Sequence, residues 1–127
     1  MFDYTVETSK NMNDAVDSLT QELKDKQFGV LWTFDIKDKL QEKGLDFNKE
    51  YKVLEVCNPK EAQKVLTENQ MAGYFLPCKM VVYEDGGKTK IGMPRPTSLI
   101  SMVNDEKLET IAQDIEERLI DCMDKAV

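Results

Sequence analysis

The sequence predicts an α+β domain in which one five-stranded sheet packs with three main helices. Apolar residues alternate with period two in some segments, as in half-buried strands, and recur at helical spacing in others. The tripeptide Asp85-Gly86-Gly87 lies between the last two predicted strands and is typical of a tight hairpin, which requires an antiparallel pair. We therefore predict a single mixed, largely antiparallel sheet with the element order β-α-β-α(short)-β-α-β-β-α.

The chain opens with a predicted strand, a helix and a second strand. Residues 2–8 alternate between apolar and polar side chains. Residues 12–26 carry apolar side chains at helical spacing, and Asn11 is suited to cap the N-terminus of that helix. Residues 28–35 alternate again and include the aromatic Trp32, which favours a strand.

A short helix and a third strand follow. Asp35 caps the short helix predicted over residues 36–43, and Gly44 stands where a left-handed C-terminal residue is favoured. Residues 51–57 alternate once more and end the third strand at Cys57.

Residues 58–84 are predicted to form a capped helix that leads to a fourth strand. Asn58 is the expected N-cap, Pro59 occupies the first helical position, and Glu61 falls at the capping-box position. Residues 69–73 break this helix, and residues 78–84 form the fourth strand. The inner apolar stripe of the helix is predicted to consist of Ala62, Val65 and Leu66.

The chain ends with a fifth strand and the longest helix. Residues 88–92 return antiparallel, but residues 93–96 contain two prolines and cannot be a strand or helix interior. Residues 97–102 suit one helical turn, and Asn104 is the expected cap of the last helix. The apolar stripe of that helix comprises Leu108, Ile111, Ala112, Ile115, Leu119, Cys122 and Met123.

Composition narrows the classes of function. A chain of 127 residues with a net charge of -7 predicts a single domain, residues 1–127, that does not bind nucleic acid or an anionic membrane. No signal peptide or apolar run long enough to span a membrane is evident, so we expect a cytoplasmic protein with reduced thiols. The absence of histidine excludes Ser-His-Asp and Cys-His catalysis and mixed Cys/His zinc sites.

The predicted sheet leaves one face without enough helices to cover it. Tyr51, Val53 and the aromatic residues of the second strand indicate that neither sheet face is polar. A homodimer that packs sheet against sheet, or helix against helix, would cover the remaining apolar surface. We therefore expect a homodimer.

Cys57 and Cys78 are the first candidates for chemistry. Cys57 precedes a helix N-terminus, whose positive end can lower a thiol pKa, and Cys78 opens a neighbouring strand. The two are expected at the same sheet end if their strands run parallel, where they would form a redox couple or bind a soft metal. The alternative interpretation is that both are small core residues, as Cys122 is.

A second candidate is a small pocket for an anionic ligand. Trp32 and Asp35 at the end of the second strand, with Arg95 in the proline-bounded loop, are predicted to line it, and Asn58 joins this ligand-binding set. The alternative places Trp32 in the core, Asp35 as a helix cap and Arg95 on the surface.

Three motifs in order carry a family resemblance. They are Phe34-Asp35-Ile36-Lys37 with Lys43-Gly44-Leu45, then Val56-Cys57-Asn58-Pro59-Lys60, then Leu76-Pro77-Cys78-Lys79-Met80 with the following residues to Asp85. Together they resemble the domain-of-unknown-function 302 family over residues 33–96. The resemblance implies a compact dimeric α+β domain with no firmly assigned activity. It places among the signature positions Cys57, Asn58, Pro59, Pro77 and Cys78.

The favoured function is therefore a dimeric protein that binds a small ligand or metal and is not an enzyme. A thiol-dependent redox or sulfur-transfer protein, with Cys57 as the nucleophile and Cys78 as the resolving thiol, is the first alternative. A purely structural or interaction module is the second. The sequence names no cofactor.

Overall fold

The computed structural model describes residues 1–127 and contains five strands and five α-helices. The strands are β1 (Asp3–Thr8), β2 (Gly29–Asp35), β3 (Tyr51–Cys57), β4 (Cys78–Asp85) and β5 (Lys88–Pro94). The α-helices are α1 (Met12–Asp25), α2 (Ile36–Glu42), α3 (Pro59–Glu68), α4 (Pro96–Ile100) and α5 (Glu106–Ala126). Two 3₁₀ helices cover Gln70–Phe75 and Ser101–Val103.

All five strands belong to one sheet in the order β1-β5-β4-β3-β2, and every neighbouring pair is antiparallel. The predicted α+β fold and element order are confirmed. The sheet is entirely antiparallel, so the predicted mixed character is wrong. From β2 to β5, each strand pairs with the next strand along the chain, whereas β1 runs in the same direction as β2 but lies at the opposite edge, paired with β5. A bulge between Val30 and Trp32 shifts the register of β2 against β3.

One sheet face packs on α1 and α5 and forms the hydrophobic core. In the middle of the three central strands, alternate residues are buried on this face because strand side chains alternate between the two faces. Leu19, Leu23, Leu108 and Leu119 supply fully buried side chains from the two helices. The buried strand residues are Leu54, Val56, Met80, Val82, Ile91 and Met93.

The opposite sheet face remains partly exposed, and we call it the open face. Its apolar residues are Trp32, Phe34, Tyr51, Val53, Val81 and Tyr83. The rings of Trp32 and Phe34 stack at 5.3 Å, and those of Tyr51 and Tyr83 lie 5.4 Å apart. Trp32 remains 54% exposed, so this aromatic surface has no cover within the chain.

Most of the expected helix caps are present. The side-chain oxygens of Asn11, Asp35 and Asn58 each accept a backbone N–H from the first turn of the following helix. The prediction of Asn104 as a cap is wrong. Asn104 has left-handed dihedral angles with φ 58°, and the carboxylate of Asp105 accepts the N–H of Leu108 instead.

Two segments differ from the predicted pattern. Strand β5 continues through Pro94, which pairs with Asp3 on β1. Because the pairing of β5 with β4 ends at Gly92, Pro94 has no β4 neighbour to which an N–H would have to donate, and the proline is tolerated. Residues 69–73 were expected only to interrupt α3, whereas the chain forms a 3₁₀ helix over Gln70–Phe75, followed by a cis Leu76–Pro77 bond. No helix combines the length and the apolar character needed to cross a membrane.

Candidate functional site

The two candidate cysteines lie close together at one end of the sheet, where β3 ends and β4 begins. Cys57 is the last residue of β3, and Cys78 is the first of β4. These ends meet because the two strands are antiparallel, not because they are parallel as the sequence interpretation required. Val56 pairs directly with Cys78, so Cys57 lies one residue beyond the last pair.

The two thiols nevertheless lie on opposite sides of the sheet. Cys78 shares the helix-covered face with its partner Val56, and Cys57, as the next residue, points to the open face. A disulfide requires the two Cβ atoms to point toward each other. The register therefore disfavours a disulfide between Cys57 and Cys78, and all three cysteines are free thiols.

Burial raises the pKa of both thiols, which lowers the fraction present as the nucleophilic thiolate. Burial raises the pKa of Cys57 above its ordinary value of 9.0. Burial, reinforced by the neighbouring Cys57, raises the pKa of Cys78 to about 11. The pKa of Cys57 thus moves in the direction opposite to the lowering expected at a helix N-terminus, and the cause is desolvation of the thiol.

The same sheet end offers few ligands for a metal. No group of three or more His, Cys, Asp or Glu side chains is arranged to hold a metal ion. The chain thus brings two thiols near each other without the further ligands that a structural zinc site needs.

A large cleft lies at this end of the sheet. Its volume is about 710 Å³, and 19 of its 29 lining residues are hydrophobic. Tyr51 and Tyr83 line it from the open face, whereas Val65 and Ile115 line it from the helix layer. The 3₁₀ helix at Gln70–Phe75 contributes further lining side chains. The cleft is of the size and apolar character that small-molecule sites have in proteins.

Asn58 is one of the few polar residues that line this cleft. It is 6% exposed, and its Oδ1 accepts the N–H groups of Lys60 at 3.0 Å and Glu61 at 3.3 Å. Both bonds use the oxygen, so the amide nitrogen remains a donor. Asn58 is the one residue of the predicted ligand-binding set that lies in the cleft.

Glu61 is a cleft residue that sequence analysis missed. The capping-box position predicted a carboxylate that turns back toward its own helix start, and the inner stripe was assigned to Leu66 among others. Instead Leu66 is 39% exposed and Glu61 is 8% exposed, because α3 turns this side toward α5. The only sequence signal is its place one turn before the buried Val65.

The Glu61 carboxylate forms an incomplete ion-pair cluster. Oε1 accepts from Nζ of Lys64 at 3.1 Å and lies 3.0 Å from Nη2 of Arg118. That guanidinium also donates to Asp114 and lies over the Phe28 ring. Oε2 of Glu61 is buried and has no hydrogen-bond partner, and the same is true of Nε of Arg118.

The other predicted ligand-binding residues lie elsewhere. Trp32 and Asp35 are on the edge strand β2, where Asp35 caps α2 by accepting the N–H of Asp38. Arg95 follows β5, which is three strands away from β2 in the sheet, and it forms an ion pair with Glu116. The structure therefore does not bring Trp32, Asp35 and Arg95 together into one pocket.

Comparison with known proteins identifies the family. The family described as domain of unknown function DUF302 matches residues 4–126. The chain belongs to this family. The crystal structure of an uncharacterized conserved DUF302 protein from Bacillus stearothermophilus is similar to this chain, with 56% identity and a TM-score of 0.98 over 100% of this chain and 99% of that one. No curated protein matches the chain.

Membership confirms the family resemblance that the motifs within residues 33–96 predicted, and the family match extends it to residues 4–126 of the chain. The descriptions of the family and of the similar structure assign no activity. Four of the five signature positions, Cys57, Asn58, Pro77 and Cys78, line the cleft, whereas Pro59 does not. The second and third motifs of this DUF302 domain therefore contribute to the cleft lining, whereas the first motif, at residues 34–37 and 43–45, does not.

Proposed function

We propose that the protein is a cytoplasmic, homodimeric binding protein that takes a small, largely apolar molecule into the cleft at the end of β3 and β4. The size and apolar lining of the cleft carry this proposal. Binding is favoured over thiol chemistry because burial raises the pKa of both cleft thiols, whereas a nucleophilic thiol needs a lowered pKa. An apolar ligand is favoured over a metal because the two thiols lie on opposite sheet faces.

A neutral apolar fluorophore such as Nile red tests this function. We expect its fluorescence to rise on binding to the native protein and to saturate with one site per chain. Ala62→Phe places an aromatic ring in the cleft and should weaken binding at least tenfold. Gln63→Phe is the matched control, since Gln63 is exposed on the same helix and does not line the cleft. Equal binding by both variants, or no saturable binding by the native protein, would contradict the proposal.

The open face supports the homodimer. Its stacked aromatic residues are partly exposed, and Tyr51, Val81 and Tyr83 belong both to this face and to the cleft lining. A second copy packed sheet against sheet would bury the aromatic surface and close the cleft on that side. The proposed dimer and the proposed ligand site therefore share these side chains.

Sedimentation equilibrium tests the dimer. We expect a dimer at micromolar concentrations and a shift to monomer in Val53→Asp, which places a charge at the centre of the open face. Thr110→Asp is the control, because Thr110 is exposed on α5 away from the sheet. A native protein that sediments as a monomer at every concentration would refute the dimer.

A further inference from the structure

The unpaired oxygen of Glu61 indicates which chemical group a ligand of this cleft should carry. Glu61 lines the cleft, and its side chain is only 11% exposed. Its Oε1 is occupied by Lys64 and Arg118, whereas its buried Oε2 has no partner. A buried carboxylate oxygen without a donor is costly, so a ligand that supplies a donor gains the full value of a charge-assisted hydrogen bond.

The charges around Glu61 favour a neutral donor over a cation. Lys64 and Arg118 lie against Oε1, and Asp114 pairs with the other side of Arg118. Two acids and two bases therefore balance within this cluster, and a ligand ammonium would bring an uncompensated charge into an apolar cleft. A ligand carboxylate would offer no proton to Oε2 and would be repelled by it. A hydroxyl group satisfies the oxygen without adding charge.

Asn58 supplies the complementary group. It lines the cleft three residues before Glu61, and its oxygen is held by two backbone N–H groups of α3. Its amide nitrogen is thus left as a free donor on a residue that lines the cleft. The site offers one acceptor and one donor, which matches the one donor and the acceptor lone pairs of a hydroxyl.

We propose that the cleft selects apolar molecules that carry a neutral hydroxyl group, alcoholic or phenolic. The hydroxyl donates to Oε2 of Glu61 and accepts from the amide nitrogen of Asn58, while the apolar body lies among the hydrophobic lining. This inference rests on the proposed binding function and specifies the ligand class for the same site.

Displacement of Nile red by naphthol and by its methyl ether tests this selectivity in the native protein. The two probes have similar apolar bodies, but only naphthol can donate a hydrogen bond. We expect naphthol to bind about 10-fold to 100-fold more tightly, the range that corresponds to one hydrogen bond to a charged group. Naphthylmethylamine, the cationic analogue, should bind more weakly than naphthol.

Glu61→Gln should reverse this preference. The glutamine oxygen would remain the acceptor for Lys64 and Arg118, which places an amide donor at the position of Oε2. The methyl ether, which can only accept, should then bind at least as well as naphthol. Glu117→Gln removes the same charge from an exposed position on α5 and should leave the native preference unchanged.

The outcomes separate the two proposals. If Nile red and all three naphthalenes fail to bind, the binding function itself is refuted. If the native protein binds Nile red but binds naphthol and its methyl ether equally, or prefers the amine, the hydroxyl selectivity is refuted and the binding function stands. The comparison of probes on the native protein decides this even if Glu61→Gln does not fold.

Discussion

Glu116 is a buried carboxylate that ties the segment after β5 to the long helix α5. Its Oε1 accepts the backbone N–H of Thr97 at 3.1 Å and the Thr97 hydroxyl at 2.7 Å, and its Oε2 accepts from Nη1 of Arg95 at 3.2 Å. Glu116→Ala removes all three bonds at once. It also leaves the Arg95 guanidinium with the carbonyl oxygen of Asp3 and the Tyr4 ring.

The size of the effect follows from the exposure of the partners. A hydrogen bond to a charged group contributes about 1.5–3 kcal/mol when buried. Arg95 retains 26% of its side-chain exposure, so its pair with Glu116 is partly screened and contributes less. Thr97 is half-buried, and water can replace part of its lost bonds. We therefore expect Glu116→Ala to lower the free energy of unfolding by about 3 kcal/mol.

Glu116→Gln should cost about half as much, because the glutamine oxygen still accepts from Thr97 while its amide group faces Arg95. Urea unfolding followed by circular dichroism measures both variants. A loss of 3 kcal/mol would be a large part of the roughly 5–15 kcal/mol that stabilises a typical domain. Glu117→Ala, at an exposed neighbouring position, should change stability by less than about 0.5 kcal/mol.

A Glu116→Ala variant as stable as Glu117→Ala would refute this account of the contact. Arg95→Met provides a second comparison, because it removes the same ion pair from the other side. It should reduce stability and leave Nile red affinity unchanged, since Arg95 does not line the cleft. A selective loss of ligand affinity would instead support the ligand-binding role that the sequence suggested for Arg95.

Two further predictions concern the cleft residues. Asn58→Ala removes the side-chain oxygen that accepts two backbone N–H groups at the start of α3, and it should lower the free energy of unfolding by about 1–2 kcal/mol. Asn58→Asp retains a capping oxygen, so its free energy of unfolding, measured in urea, should stay close to that of the native protein. The raised pKa of Cys78, about 11 against an ordinary 9.0, means that the folded state binds this proton more tightly than the unfolded state does. The contribution of Cys78 to the free energy of unfolding should therefore be constant below about pH 9 and should fall as the pH rises toward 11. The Cys78→Ala variant should not show this fall. An equal pH dependence of stability in both proteins would contradict the prediction.

The local features of this fold could be predicted because neighbouring residues determine them. Asn58 followed by Pro59 specifies a helix start through its own side-chain bonds and a fixed φ angle. Gly86 and Gly87 both adopt positive φ angles in the turn between β4 and β5, as the sequence predicted. Neither feature depends on what packs against it, so periodicity and turn chemistry were sufficient.

The cleft could not be predicted because it depends on how distant elements pack. Which side of α3 becomes buried is decided by contact with α5, more than forty residues later in the chain, through Arg118. The apolar pattern assigned Leu66 to the inward stripe, and the capping-box position gave Glu61 a local role at the start of its own helix. The cysteines raised a similar problem, since proximity in a sheet depends on strand direction and register, neither of which is visible in residues 57–78 alone.

The burial of Glu61 is best understood through the site it borders. A buried ion pair is often no more stabilising than a well-packed hydrophobic residue of similar volume, because removing two charges from water is costly. Here the pair is also incomplete, with one acceptor on Glu61 and one donor on Arg118 left unused. Stability alone therefore gives little reason for a carboxylate at this position, next to the apolar residues that line the cleft. The proposed ligand hydroxyl would complete the carboxylate and would provide that reason for the one buried acid on α3, which lines the cleft.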